Sequence, residues 1–540
     1  MKFKFQILLG LLLASASALH AGRQQGYDLI IRGGRVVDGA GNGWYRADVA
    51  LQGDTIAAIG RLDGATARRV IEARDAVVAP GFIDAHSHAR RTIFEETKAE
   101  NYIRQGVTTA IEGPDGSSPL PLNPFFERLA AARIAINMGA LVGQGSIRER
   151  VIGLANRRAT PDEIEKMKEL VKQAMEDGAL GLSTGLFYVP GNYTPTEEVI
   201  ELARVAGRMG GIHTSHMRDE AAGVLKSVEE TIAIGELGGL PTQVTHHKII
   251  GKGNWGRSVD TLRLIAEARA RGVDVTIDQY PYTASSTGLA ALLPQWSQEG
   301  GRSEIVKRLD DPPTRARIKA AVVENIKFDR GGGDPKNIYI ARCEWDRSLE
   351  GKNLAEIAAA RGRSSSFEDA AETAMEIVGK ASAMERAGGS GVSAIYHAIN
   401  EDDLVRILKD PLTMIASDGG VEIPGRGVPH PRSYGTFARV LGVYVREKRA
   451  LSLEDAIRKM TSLPAQRLGL HDRGLLRPGM KADVVIFDAA RVRDRATFAD
   501  PHQYAEGVSF VIVNGSIVLD DGKMTEARPG RPLLGPAARR

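Results

Sequence analysis

The chain has 540 residues, enough for two or three domains. Its 43% hydrophobic and 26% charged residues are ordinary for a soluble globular protein. A formal charge of +4 with no basic or acidic run offers no footprint for nucleic acid, and a single cysteine, Cys343, excludes an intrachain disulfide framework.

In chain order, residues 1–21 read as an export signal. Lys2 and Lys4 form a basic start, Ile7 to Leu13 an apolar stretch, and Ala18-Leu19-His20-Ala21 a small-x-small cleavage site. The apolar stretch is too short to span a membrane, so a periplasmic or secreted protein with no spanning segment after cleavage is expected. Residues 27–79 carry short alternating runs punctuated by Gly and Asp: "DLIIRGGRVVDG", "ADVALQGDTIAAIG" and "RRVIEARDAVVAPG". The same style returns in "KADVVIFDAARV" and "VSFVIVNGSIVLDDGK". Residues 27–79 and 466–525 are therefore expected to form one small β-sandwich domain built from both chain ends.

Residues 80–465 alternate differently. Strand candidates such as "VTTAIEG", "ALGLSTGL", "GGIHTSHM", "DVTIDQYPY" and "LTMIASDG" are separated by helix-like stretches. "TPDEIEKMKELVKQAMEDG" opens on a capping signal, and "SVEETIAIGELGG" and "SVDTLRLIAEARARG" both close at glycine. About eight strand–helix repeats indicate an α/β fold, a (β/α)8 TIM barrel. The rhythm breaks over about 292–350, where an inserted subdomain is expected. The Pro/Arg/Gly-rich residues 528–540 read as a disordered tail.

In such a barrel, chemistry sits at the C-terminal strand ends. "GFIDAHSHAR" puts His86 and His88 at the end of the first strand, on one side with Asp84. His216 closes "GGIHTSH", His246 closes "PTQVTH" and Asp418 closes "LTMIASD". Five side chains suited to a metal thus recur on one face, and neutral imidazole with carboxylate suits zinc, as one or two ions. Two ions would need a further anionic side chain between the halves.

The stretches "PGFIDAHSH", "QGVTTAIEG", "LGLSTGLFY", "HTSHMRDE", "THHKIIGKGNWGRS", "DQYPYTASST", "SDGG" and "HPRSYGTFARVLG" resemble the amidohydrolase superfamily, a family of metal-dependent hydrolases, and within it the N-acyl-D-amino-acid deacylases, or D-aminoacylases. The resemblance runs from about residue 27 to 525. It implies that His86, His88 and Asp418 hold one metal position and that His216 and His246 hold the other. The family's best-known members bridge the two with a cysteine in an Asn-Cys-Gly stretch after the second strand. This chain departs there and reads Glu112-Gly113-Pro114-Asp115-Gly116. Asp115 is the first choice for the bridge and Glu112 the alternative, while Pro-Asp-Gly is also a turn signature.

Zinc lowers the pKa of water and polarises a carbonyl, and Asp418 is placed to take the water proton and return it to a departing amine. The resemblance assigns Lys248, Tyr280, Ser286 and Arg432 to the substrate carboxylate and puts Tyr188 near the metals. Arg218 is open as a partner of a metal-holding carboxylate. "GKGNWGRS" lacks the ending of a phosphate loop, and the charged run "VENIKFDRGGGDPK" reads as a solvated face and turn. The expected activity is hydrolysis of small N-acyl-amino acids, D-configured by resemblance. The competing readings are a dipeptidase for D-residue or unusual peptides and a non-catalytic binding protein.

Overall fold

The computed structural model describes residues 26–385 and 391–539. The expected export signal lies outside them. No helix among the described residues is long and apolar enough to cross a membrane.

Eight parallel strands form the barrel: β1 (Phe82–Asp84), β2 (Val107–Glu112), β3 (Asn137–Ala140, continued by Val142–Gly143), β4 (Gly181–Gly185), β5 (Ile212–His216), β6 (Thr242–Val244), β7 (Val275–Gln279) and β8 (Thr413–Ile415). Each pairs with the next in that order, β3 serving β2 with its first half and β4 with its second. Between β1 and β8, Ser87 bridges Gly419, His88 N–H donates to Gly419 at 2.7 Å and Asp418 N–H donates to His86 at 2.9 Å. The strands are short and buried on both faces, as a helix-covered parallel sheet requires. Some polar strand residues are satisfied by neighbouring strands. His213 on β5 contacts Thr184 Oγ1 at 3.0 Å and Thr242 Oγ1 at 2.8 Å.

The helix Pro161–Asp177 starts on the anticipated capping box, Thr160 with Glu163, and ends at Gly178 in a left-handed turn. Val224–Gly238 and Ser258–Ala270 follow β5 and β6. A stacked pair, Phe82 and Phe437 at 5.8 Å, lies in the large core shared by strands and outer helices.

Both chain ends meet in one nine-stranded sheet. Val77–Pro80 joins Tyr27–Val36 on one side to Val484–Phe487 on the other. Leu29, Ile31, Val49, Ile486 and Ile512 share its core, and Arg69 forks onto Asp520 at 2.8 and 2.6 Å.

Two expectations about extent are corrected. The inserted unit has its own core, which runs from Leu289 to Tyr396 and so passes well beyond residue 350. Helices Leu354–Ala360 and Phe367–Glu385 contribute to that core, and the three-stranded sheet Ser285–Gly288, Ser393–Tyr396, Ile338–Arg342 brings its ends together. The tail is ordered: Pro532–Leu533 pairs in parallel with Met138–Gly139 of β3, and Gly535 N–H donates to Gly178 O at 2.8 Å. The first half of β3 has a free edge because β4 takes only the second half, and the tail fills it.

Candidate metal centre

Six side chains from five C-terminal strand ends converge. His86 and His88 lie just past β1, Asp115 in the loop after β2, His216 at the end of β5, His246 past β6 and Asp418 past β8. They make two groups with Asp115 in both: His86, His88, Asp115 and Asp418, then Asp115, His216 and His246. Asp115 Oδ2 is 3.5 Å from His86 Nε2 and 3.4 Å from His88 Nε2. Its Oδ1 is 3.3 Å from His246 Nε2 and 3.6 Å from His216 Nδ1. Asp418 Oδ1 stands 3.1 Å from His88 Nε2 and 3.6 Å from His86 Nε2.

Glu112 belongs to neither group. Its carboxylate accepts N–H groups from Arg90 at 2.7 Å and Gly113 at 3.1 Å, which turns it away from the histidines. Asp84 also belongs to neither group and accepts the N–H of Ser417 at 2.8 Å. Asp115, His246 and Asp418 all have positive φ, at 57°, 36° and 50°, three of eight such non-glycine residues among those described. A left-handed backbone costs an L-residue about 1–2 kcal/mol and persists where the surroundings demand it. Here it aims side chains inward.

Ring nitrogens and carboxylate oxygens converge closely. His216 Nδ1 and His246 Nε2 face each other at 2.6 Å. Both His86 nitrogens and Asp115 Oδ1 are buried without hydrogen-bond partners. Burial pushes His216 down to about 4, so its ring is neutral at neutral pH, as a ligand must be. Burial also opposes charge on His86, but Asp115 and Asp418 outweigh it and hold its pKa well above the ordinary value. This donor set fits a divalent cation that would displace the His86 proton.

Carboxylates stand behind the rings. Asp278 Oδ1 is 3.6 Å from His86 Nδ1 and accepts the N–H of His246 at 2.8 Å. Glu220, absent from the expected set though inside "HTSHMRDE", lies 3.1 Å from His246 Nδ1. Such outer partners fix the tautomer of a metal-holding histidine.

The five residues expected around a substrate are near the centre, in different circumstances. Arg432, first residue of helix Arg432–Arg439, places Nη1 2.9 Å from Asp418 Oδ2 and its guanidinium 4.8 Å over the Tyr280 ring. Arg432 Nε and the Tyr280 hydroxyl are buried with no acceptor. Asp418 loses solvation on burial, but Arg432 and His86 keep its carboxyl well below the usual range, so it is ionised. The Ser286 carbonyl accepts from Arg432 at 3.3 Å. The Tyr188 ring packs 4.6 Å from His216, with its hydroxyl 3.0 Å from Thr287 Oγ1. Lys248 differs: its ammonium donates to Glu220 and, at 2.7 Å, to the His246 carbonyl, and it faces protein groups instead of an open carboxylate site.

Two further readings are corrected. Arg218 pairs with Glu230 at 2.8 Å and with loop carbonyls, not with a carboxylate of the centre. The run "VENIKFDRGGGDPK" is not all solvated: Arg330 is buried, 3.6 Å from Glu220 and 4.1 Å over Phe187. No local pattern marks a charged residue before three glycines as buried, so Arg330 had no signal of its own.

Residues 69–519 match the Amidohydrolase family. The chain is 37% identical to D-aminoacylase of Alcaligenes xylosoxydans xylosoxydans over 537 residues, 95% of this chain and 99% of the relative. It is also 37% identical to the N-acyl-D-glutamate deacylase of that organism over 532 residues, 94% and 97% of the two chains. The fold superposes with a TM-score of 0.80 on the crystal structure of N-acyl-D-glutamate deacylase from Bordetella bronchiseptica, complexed with zinc and a phosphonate inhibitor that mimics the tetrahedral intermediate of the reaction. Identity there is 35%, over 94% of this chain and all of the other.

Proposed function

We propose that this chain, which belongs to the amidohydrolase family, is a zinc-dependent hydrolase of the amide bond in N-acyl-D-amino acids. The observation that carries the reading is the pair of three- and four-residue groups sharing Asp115. D-configuration rests on the relatives, all three of which act on D-amino-acid derivatives by name.

His86, His88 and Asp418 would hold one zinc ion, His216 and His246 a second, and Asp115 both. Bound zinc supplies Lewis acidity toward the amide carbonyl and toward water. Asp418, ionised and beside His88, accepts the proton of the attacking water and hands it to the departing amine nitrogen. Arg432 Nε and the Tyr280 hydroxyl, buried donors without acceptors, receive the substrate α-carboxylate. Tyr188 and Phe187, packed on His216, wall the site and keep bulk water out. The protein is proposed to act after export, on the strength of Lys2, Lys4 and the apolar stretch before Ala21. Its amino-terminal sequence after recovery from the producing cell tests that part.

Hydrolysis of matched N-acetyl-D- and N-acetyl-L-amino acids by zinc-loaded protein tests the main reading. Chelator-sensitive turnover of the D series, absent in Asp418→Asn, is expected. Zinc-bound protein that turns over neither series would refute it.

A further inference from the structure

Glu220 occupies a position that the proposed reaction does not use. It is buried four residues beyond His216, and each carboxylate oxygen has charged or imidazole neighbours, though Oε2 accepts no hydrogen bond. Oε1 faces His246 Nδ1 at 3.1 Å and accepts from the Lys248 ammonium. Oε2 faces His216 Nε2 at 3.9 Å and the Arg330 guanidinium at 3.6 Å. Arg330 comes from the inserted unit, where it follows the helix Pro312–Phe328.

The contacts at His246 set up a competition. Its Nε2 points to Asp115 and His216, so it can act as a ligand only with the lone pair on Nε2 and the proton on Nδ1. Two groups reach Nδ1: Glu220, an acceptor, and the Lys248 ammonium at 2.7 Å, which can only donate. A proton donated from Lys248 to an Nδ1 lone pair would leave the ring proton on Nε2, aimed into the centre. An Nδ1–H donated to Glu220 gives the competent tautomer and leaves Lys248 to bond Glu220 and the His246 carbonyl.

We infer that Glu220 is a positioning residue that selects the ligand tautomer of His246, and that Arg330 holds Glu220 in place for the inserted unit. This rests on reading His216 and His246 as a metal position. The inserted unit thereby reaches that position through two side chains. Arg330 is placed for this role between the Phe187 ring and the Glu220 carboxylate, with Asp329 as a second nearby anion, and its Nε has no acceptor. Glu220 is its ion-pair partner at the centre.

The test is the zinc affinity of each position, read by titration of metal-free protein against a competing chelator. Glu220→Gln keeps the shape and an acceptor oxygen but loses the charge. It is expected to weaken one of two zinc steps by about 10- to 100-fold and leave the other unchanged. Glu220→Asp keeps the charge and withdraws it by one methylene, so the same step should weaken. Arg330→Met should weaken that step by less. Should Glu220→Gln fail to fold, Glu220→Asp decides. Parental affinity at both steps in a folded Glu220 variant overturns the role of Glu220, and parental affinity in Arg330→Met overturns the link to the inserted unit. Substrate does not enter the titration, so a parent that binds two zinc ions yet hydrolyses no N-acyl-D-amino acid would sink the proposed function and leave this inference standing. A parent that takes up a single ion in one step overturns it.

Discussion

Replacing Arg432 by Met keeps most of the side-chain length and removes the guanidinium that faces Asp418 at 2.9 Å and covers Tyr280. Two unit charges about 3 Å apart attract by roughly 6 kcal/mol at an effective dielectric of about 20, before the cost of desolvating them. Measured couplings of close charge pairs run from about 1.5 to 7 kcal/mol, so about 3 kcal/mol is expected between Arg432 and a substrate carboxylate. That is roughly a hundredfold in kcat/KM. Arg432 also touches Asp418, and the loss must be divided between the two roles. The assay therefore uses two substrates, an N-acetyl-D-amino acid and its carboxamide. The carboxamide has no anion for Arg432 to bind, so the variant should lose about a hundredfold more on the acid. Arg432→Lys should recover part of the difference, because an ammonium restores charge but not the planar fork. Equal losses on both substrates would refute carboxylate recognition and leave Arg432 as a partner of Asp418 alone.

Asp115→Asn should weaken both zinc steps while the metal-free protein melts as the parent does, since Asn tolerates the positive φ of 57° at that position. A variant with parental zinc content after dialysis would remove Asp115 from the centre. Gly185→Ala adds a Cβ 2.1 Å from the Asp115 carbonyl, so the loop carrying Asp115 must move. Zinc uptake should fall with it, and unchanged uptake would show that the loop position is not critical. His213 is held down to about 3 by burial, against an ordinary value of 6.5. The unfolded chain binds the extra proton, so the contribution is complete above pH 6.5 and is lost as pH falls from there toward 3. It costs about 1.4 kcal/mol per pH unit, or roughly 2 kcal/mol by pH 5. Urea unfolding at pH 7 and pH 5 should show that extra loss in the parent and not in a folded His213→Gln, and equal losses would dismiss it.

The barrel was legible because each repeat carries its own local signals: a capping box at Thr160, glycines closing the helices, and histidines recurring at strand ends. The bridge was half legible. "EGPDG" offers two carboxylates three residues apart, and the difference lies in the turn: Gly113 and Asp115 both take positive φ, which swings Asp115 inward while Glu112 stays on β2 and meets Arg90. Glu220, Asp278 and Arg330 were missed for a common reason. Their role is to face another side chain from a different loop, and no spacing within one segment encodes that contact. The tail misled for a similar reason. Its composition is that of disordered chain, and its order comes from the free edge of β3, some 400 residues earlier.

The sheet that joins the chain ends also sets a schedule. Val77–Pro80 zips to Val484–Phe487 about 400 residues later in the chain. At a synthesis rate of about 5–20 residues per second, that apolar strand emerges roughly 20–80 s before its partner exists. Throughout that interval one of its edges lacks its eventual neighbour, and the barrel it frames is being made inside an open bracket. Whatever shields a newly made copy during this wait must cover an early hydrophobic edge strand, and must let go only when nearly the last residue has been added.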